Sequence, residues 1–183
     1  PQGVHEFDWG ETDSRLVVSA RDVESTSEDP SCDRSDVIVT EQLHYKSNDA
    51  GWMDGRTSKL FVVATDTHEI RPINGTNGGG ISETTVGLQP AVRPGEPEIG
   101  FVSNCADRPQ TSLSLDVSIV NLKQQAVRRV TSNGSKSAQL RWSPDGRFLA
   151  YNVEPVTDPY ELDSLVVFDT QSDSIHRPLA SLD

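Results

Sequence analysis

Lysine is nearly missing from this sequence: Lys46, Lys59, Lys123 and Lys136 stand against twelve arginines. Acidic residues number 28 against 16 basic ones, for a formal net charge of −12. Phosphate binding needs a basic face, so this acidic balance argues against nucleic acid as a partner. Low lysine with many acids fits salt adaptation, or GC-rich coding with ordinary solubility charge. Cysteine is limited to Cys32 and Cys105. Their wide separation and the lack of neighbouring Cys or His argue against zinc, and both are expected to be free thiols. No apolar run nears the ~20 residues that cross a bilayer. The longest, Leu60 to Ala64, is strand-sized. No basic stretch followed by an apolar one opens the chain, so no signal peptide is visible. The expectation leans to the cytoplasm, with export left open. Pro1 in place of Met points to a fragment or a processed product.

Catalytic signatures are missing too. A Gly-x-Ser-x-Gly nucleophile elbow does not occur; Gly80-Ile-Ser-Glu-Thr84 lacks the second glycine. The four histidines, His5, His44, His68 and His176, come with no nucleophile and orienting acid that spacing can assign. Carboxylates abound, as in Ser27-Glu-Asp-Pro30 or Asp49 with Asp54, but no Asp-x-Asp-x-Asp-Gly calcium loop is present. No catalytic residue, metal or cofactor is therefore expected. Asn74-Gly-Thr76 and Asn133-Gly-Ser135 match glycosylation sequons, yet Asn-Gly after a strand reads first as a turn.

What the chain does contain is a repeat. Phe7 to Ser19, Pro90 to Val102 and Leu140 to Asn152 align as strand, tight turn, strand. Trp9, Val92 and Trp142 correspond; so do Leu16, Ile99 and Leu149, and then Val18, Phe101 and Tyr151. Gly95 and Asp145-Gly146 supply turn residues that tolerate positive φ. A second hairpin follows each copy: Leu60 to Ile73, Val117 to Val130 and Leu165 to Leu179. Two hairpins per unit, with the last two units 50 residues apart from Val92 to Trp142, are the signature of four-stranded propeller blades. No segment has a helical period. A β-sandwich is the alternative all-β reading, but it does not predict tandem similarity at this spacing.

The expected fold is therefore all-β, a β-propeller fragment of about three four-stranded antiparallel blades. The units run over 1–80, with a long insertion at about 22–59, then 81–134 and 135–183. Three blades do not close a ring, so further blades are expected in the native protein. Trp9 and Trp142, at matching positions, are expected to be blade packing rather than ligand platforms.

Trp142-Ser-Pro-Asp-Gly-Arg-Phe-Leu-Ala-Tyr151 resembles the WD40-like repeat of TolB and of prolyl oligopeptidase propellers. The stretch from Val37 to Val63 is more specific. Its Leu43-His-Tyr-Lys46, acidic glycine-containing loop, Arg56 and Leu60-Phe-Val-Val63 are similar to acylaminoacyl-peptidase-type members of the prolyl oligopeptidase (S9) serine peptidase family. Phe101-Val-Ser-Asn104 fits the following blade. Val92-Arg-Pro-Gly95 and Trp9-Gly-Glu-Thr-Asp13 depart from the usual Trp-Ser-Pro-Asp-Gly.

The resemblance implies a non-catalytic propeller that restricts access to a C-terminal α/β-hydrolase domain, which lies outside this chain and carries the triad. Partners would be that domain and peptide substrates. The alternative is a free-standing TolB-like propeller that binds proteins; a propeller glycosidase is a third reading. The insertion is the expected functional feature, since long ordered insertions on rigid scaffolds tend to carry function. Val37 to Tyr45 should form an extra strand and Asn48 to Arg56 an exposed loop, with Tyr45, Trp52 and Arg56 contacting the hydrolase domain or the substrate entrance. In the alternative reading of the same loop, Trp52 folds into local core and Arg56 pairs with Asp49 or Asp54.

Overall fold

The computed structural model describes residues 4–10, 14–21, 46–47, 51–52, 58–73, 88–104, 112, 114–132, 136–155 and 162–180. These residues form three four-stranded antiparallel sheets and one two-stranded ladder, and among them there is no helix. The first sheet runs β1 (Val4–Trp9), β2 (Arg15–Arg21), β5 (Ser58–Ala64), β6 (Ile70–Pro72). The second runs β7 (Ala91–Val92), β8 (Glu98–Ser103), β9 (Asp116–Asn121), β10 (Ala126–Arg129). The third runs β11 (Lys136–Trp142), β12 (Phe148–Glu154), β13 (Ser164–Asp169), β14 (Ser174–His176). Each sheet is a meander in which both hairpins of one unit join one sheet. This is the blade arrangement, and it rules out a sandwich for these strands.

The aligned columns of the repeat are also columns of the structure. Trp9 faces Leu16, Val92 faces Ile99 and Trp142 faces Leu149 as cross-strand partners in the first hairpin of each blade. Because side chains alternate with a period of two, a shared register puts each column on one face of its blade.

The turns follow from local chemistry. Gly95 and Gly146 take φ of 73° and 69°, where a Cβ is strained. A Cβ on Gly146 would also come within 2.6 Å of the Pro94 carbonyl oxygen, so this glycine lets two blades approach. In the third blade Ser143 Oγ donates to Asp145 Oδ1 at 2.5 Å, and Asp145 Oδ1 accepts the Arg147 amide at 3.1 Å. These bonds hold the Asp145 carboxyl below its ordinary range.

Two cores lie between the blades rather than within them. One joins the first and second blades through Val17, Leu60, Leu88, Ile99, Phe101 and Val120. The other joins the second and third through Val102, Val117, Ile119, Leu140, Leu149 and Tyr151. Each such side chain taken fully out of water contributes about 1.5–3 kcal/mol. The middle blade is covered on both faces, and β8 is buried at every position from Ile99 to Ser103. The third blade alternates along β12, with Leu149, Tyr151 and Val153 buried, Phe148, Ala150 and Asn152 half-buried and Glu154 exposed.

The first blade corrects one expectation. Trp142 packs at a blade junction as anticipated, but Trp9 is 59% exposed, beside Phe7 at 66%. The reason is order in the ring. A residue in this column packs against the preceding blade, and among the described residues nothing precedes the first.

Candidate functional site

The insertion leaves the first blade after Arg21 and returns at Ser58, which are direct partners in the β2–β5 ladder. It therefore opens at the end of the blade opposite the β1–β2 turn. Within it, β3 (Lys46–Ser47) and β4 (Gly51–Trp52) form a small antiparallel ladder, with Lys46 opposite Trp52. Part of the segment expected as loop is thus a hairpin, and Trp52 sits on its second strand. Tyr45 and Arg56 lie outside the described residues. So do the expected strand from Val37 to Tyr45, Cys32, Cys105 and both sequons.

No triad assembles among the described residues. The nearest approach to one is Ser174 Oγ, 2.9 Å from His176 Nε2. The pair lies exposed on β14, the last strand of its sheet, and no described carboxylate orients the ring. No described group of His, Cys, Asp and Glu is arranged to hold a metal. The buried carboxylates are committed elsewhere. Asp116 accepts from Arg129 and, at 3.2 Å, from Thr131 Oγ1. Asp169 accepts from Arg147 at 2.7 Å, and that hydrogen bond holds its carboxyl far below the ordinary range. Fixed as an anion, Asp169 is unsuited to proton transfer near neutrality. Burial pushes the Tyr151 phenol up to about 12, outweighing the opposing charge of Arg177, so it stays neutral.

The most built feature is the second blade junction. The Trp142 indole donates to the Ala91 carbonyl at 2.9 Å. Arg93 stacks over that indole at 5.2 Å and donates to Gly146 O at 2.7 Å, Thr170 Oγ1 at 3.0 Å and Glu98 at 2.6 Å. One guanidinium thus closes the groove between two blades.

A second device repeats from blade to blade. The Gln89 backbone N–H donates to Glu6 Oε2 at 2.6 Å, and the Gln139 backbone N–H donates to Gln89 Oε1 at 2.7 Å. Gln89 and Gln139 share a left-handed backbone, with φ of 44° and 59°. Extending the alignment three residues upstream of Trp9, Val92 and Trp142 brings Glu6, Gln89 and Gln139 into one column, a signal the sequence held. Arg93 had no such signal, because its column reads Gly10, Arg93, Ser143.

Neither a protein-family model nor a curated protein sequence matches this chain. Solved structures do. Uncomplexed Pyrococcus horikoshii acylaminoacyl peptidase matches over 100% of this chain and 26% of its own, at 12% identity and a TM-score of 0.68. TolB from Acinetobacter baumannii matches over 96% of this chain and 32% of its own, at 12% identity and a TM-score of 0.56. The β-propeller domain of the Trilobed protease from Pyrococcus furiosus matches over 94% of this chain and 41% of its own, at 10% identity and a TM-score of 0.56. The chain thus spans between about a quarter and two-fifths of these relatives' lengths, and it has the β-propeller fold seen in peptidase propellers and in TolB.

Proposed function

We propose that this chain is the non-catalytic β-propeller portion of a serine peptidase of the acylaminoacyl-peptidase or dipeptidyl-peptidase type. Its work there is to exclude folded substrates and shape the entrance to a hydrolase domain outside this chain. The observation that carries the reading is the match of 100% of this chain to 26% of an acylaminoacyl peptidase at a TM-score of 0.68. The run from Leu43 to Val63, which starts in the insertion after the second strand of the first blade and ends in its third strand, supports the same assignment. The blade cores supply a rigid frame for such a gate, because interior packing at crystal-like density resists deformation.

The test has two arms. The reading frame of the parent protein should encode an α/β-hydrolase domain with a nucleophile elbow beyond the propeller. That parent should hydrolyse N-acetylaminoacyl p-nitroanilides, while the 183-residue chain alone should not. A parent composed of blades only would favour the second reading, a TolB-like protein-binding propeller, which draws support from the match to TolB.

A further inference from the structure

The first blade junction follows the plan of the second without its filling. At the second junction, the Arg93 guanidinium and the Trp142 indole occupy the groove between blades. The corresponding residues at the first junction are Gly10 and Val92, and Leu122 replaces the Thr170 hydroxyl that Arg93 uses. The groove remains as a cavity of about 400 Å³, walled by Val17, Val62, Val92, Ile99 and Leu122. Described strands of both blades line it, so it lies at a blade junction and not at an uncovered end of the propeller.

The charges at its mouth are unequally committed. Glu69 is held by Arg71 at 2.8 Å and Glu98 by Arg93 at 2.6 Å. That leaves Glu96 against Arg15 and Lys123. Neither cation has an ion pair among the described residues. Among the described residues, the mouth thus has two uncommitted cations and one uncommitted anion over aliphatic walls.

We propose that this cavity binds an aromatic ring that carries a carboxylate. The ring takes the place the Trp142 indole fills at the next junction, against Val17 and Val92. The carboxylate lies between Arg15 and Lys123. An aromatic ring suits the walls because they are aliphatic and offer no hydroxyl, and the carboxylate suits the two uncommitted cations. A free arylalkanoic acid and the C-terminal aromatic residue of a peptide share this chemistry. The assignment stands apart from the peptidase reading, since it uses only the two blades present.

The probes are indole-3-propionate, acetyl-Gly-Gly-Trp and the C-terminal amide of that tripeptide, titrated into the chain by calorimetry. At least one acid should bind with a Kd below about 1 mM, with the amide at least tenfold weaker. Comparable binding of both acids assigns the site to free aryl acids as well as peptides; binding of the tripeptide acid alone assigns it to peptide C-termini. Arg15→Gln should weaken the bound acid to the level of the amide. Val92→Phe, which fills the chamber from within, should abolish binding while the far-UV circular dichroism is unchanged. If Val92→Phe does not fold, the Arg15→Gln result decides by itself. Absence of binding by either acid up to about 10 mM, equal binding of acid and amide, or retention of affinity in a folded Val92→Phe protein would overturn the proposal.

Discussion

The two blade junctions differ by a coupled exchange that a double-mutant cycle can read. At the second junction Gly100 faces Trp142; at the first, Val17 faces Val92 in the same columns. A Cβ built on Gly100 would lie 3.5 Å from the indole Nε1, 3.3 Å from Leu140 Cδ2 and 3.4 Å from Leu149 Cδ2. The backbone there is not left-handed, so alanine meets no φ penalty. Gly100→Ala should gain about 0.5–1 kcal/mol from lost chain freedom in the unfolded state but lose about 1–3 kcal/mol by overpacking against the Leu140 and Leu149 methyls, which the indole backs, for a net loss of about 1 kcal/mol. Trp142→Val removes a half-buried indole; scaled down from the 3–5 kcal/mol of a fully buried aromatic, it should cost about 2–3 kcal/mol. With the ring gone, the Leu140 and Leu149 side chains gain room to shift away from position 100, so Gly100→Ala should become neutral or stabilising by up to about 1 kcal/mol, a coupling of about 1–2 kcal/mol. The lost stacking under Arg93 occurs in both valine backgrounds and cancels. Urea unfolding followed by far-UV circular dichroism provides the assay, since one fluorophore is removed. At a slope near 2 kcal/mol/M, Trp142→Val should lower the midpoint by about 1–1.5 M. Additivity of the two substitutions within about 0.5 kcal/mol would refute the claim that the indole fixes the packing of these leucines against Gly100.

Three further outcomes are expected. The Ser118 hydroxyl is buried with no hydrogen-bond partner, so Ser118→Ala should raise the unfolding free energy by about 1 kcal/mol in urea titration; a loss of similar size would mean the hydroxyl is satisfied. The Asp169 carboxyl is held below its ordinary 3.8, so it stabilises the fold above that pH and the benefit disappears as pH falls below it. The urea-midpoint difference between wild type and Asp169→Asn should therefore be constant from pH 5 to 7 and shrink below about pH 4, and a difference unchanged down to pH 2 would contradict the assignment. In a full-length parent peptidase, Trp52→Ala with Arg56→Ala should change peptide KM or length preference with the propeller still folded, and unaltered kinetics would remove the insertion from the substrate path.

Much of the fold was legible because it rests on local rules. Alternating residues such as Leu149, Tyr151 and Val153 mark a half-buried strand, and turn glycines at 95 and 146 mark hairpins. Spacing alone aligned Trp9, Val92 and Trp142, and the structure places all three at one register. The candidate site was far less legible. Tyr45, Trp52 and Arg56 stand out by residue type and by their place in a long insertion, and nothing in their own spacing says what they touch.

The sequence by itself determined that this chain is built of tandem two-hairpin units, and that it carries no nucleophile elbow. A period of two residues and a turn are set by neighbours along the chain, and motif absence is a plain reading. Only the tertiary structure decided how one blade meets the next: Glu6 capping Gln89, Gln89 capping Gln139, Arg93 closing one groove and Gly10 with Val92 leaving the other open. Those outcomes depend on the summed volumes and polar pairings of side chains from two different sheets, and no local pattern in either strand encodes its partner across the junction.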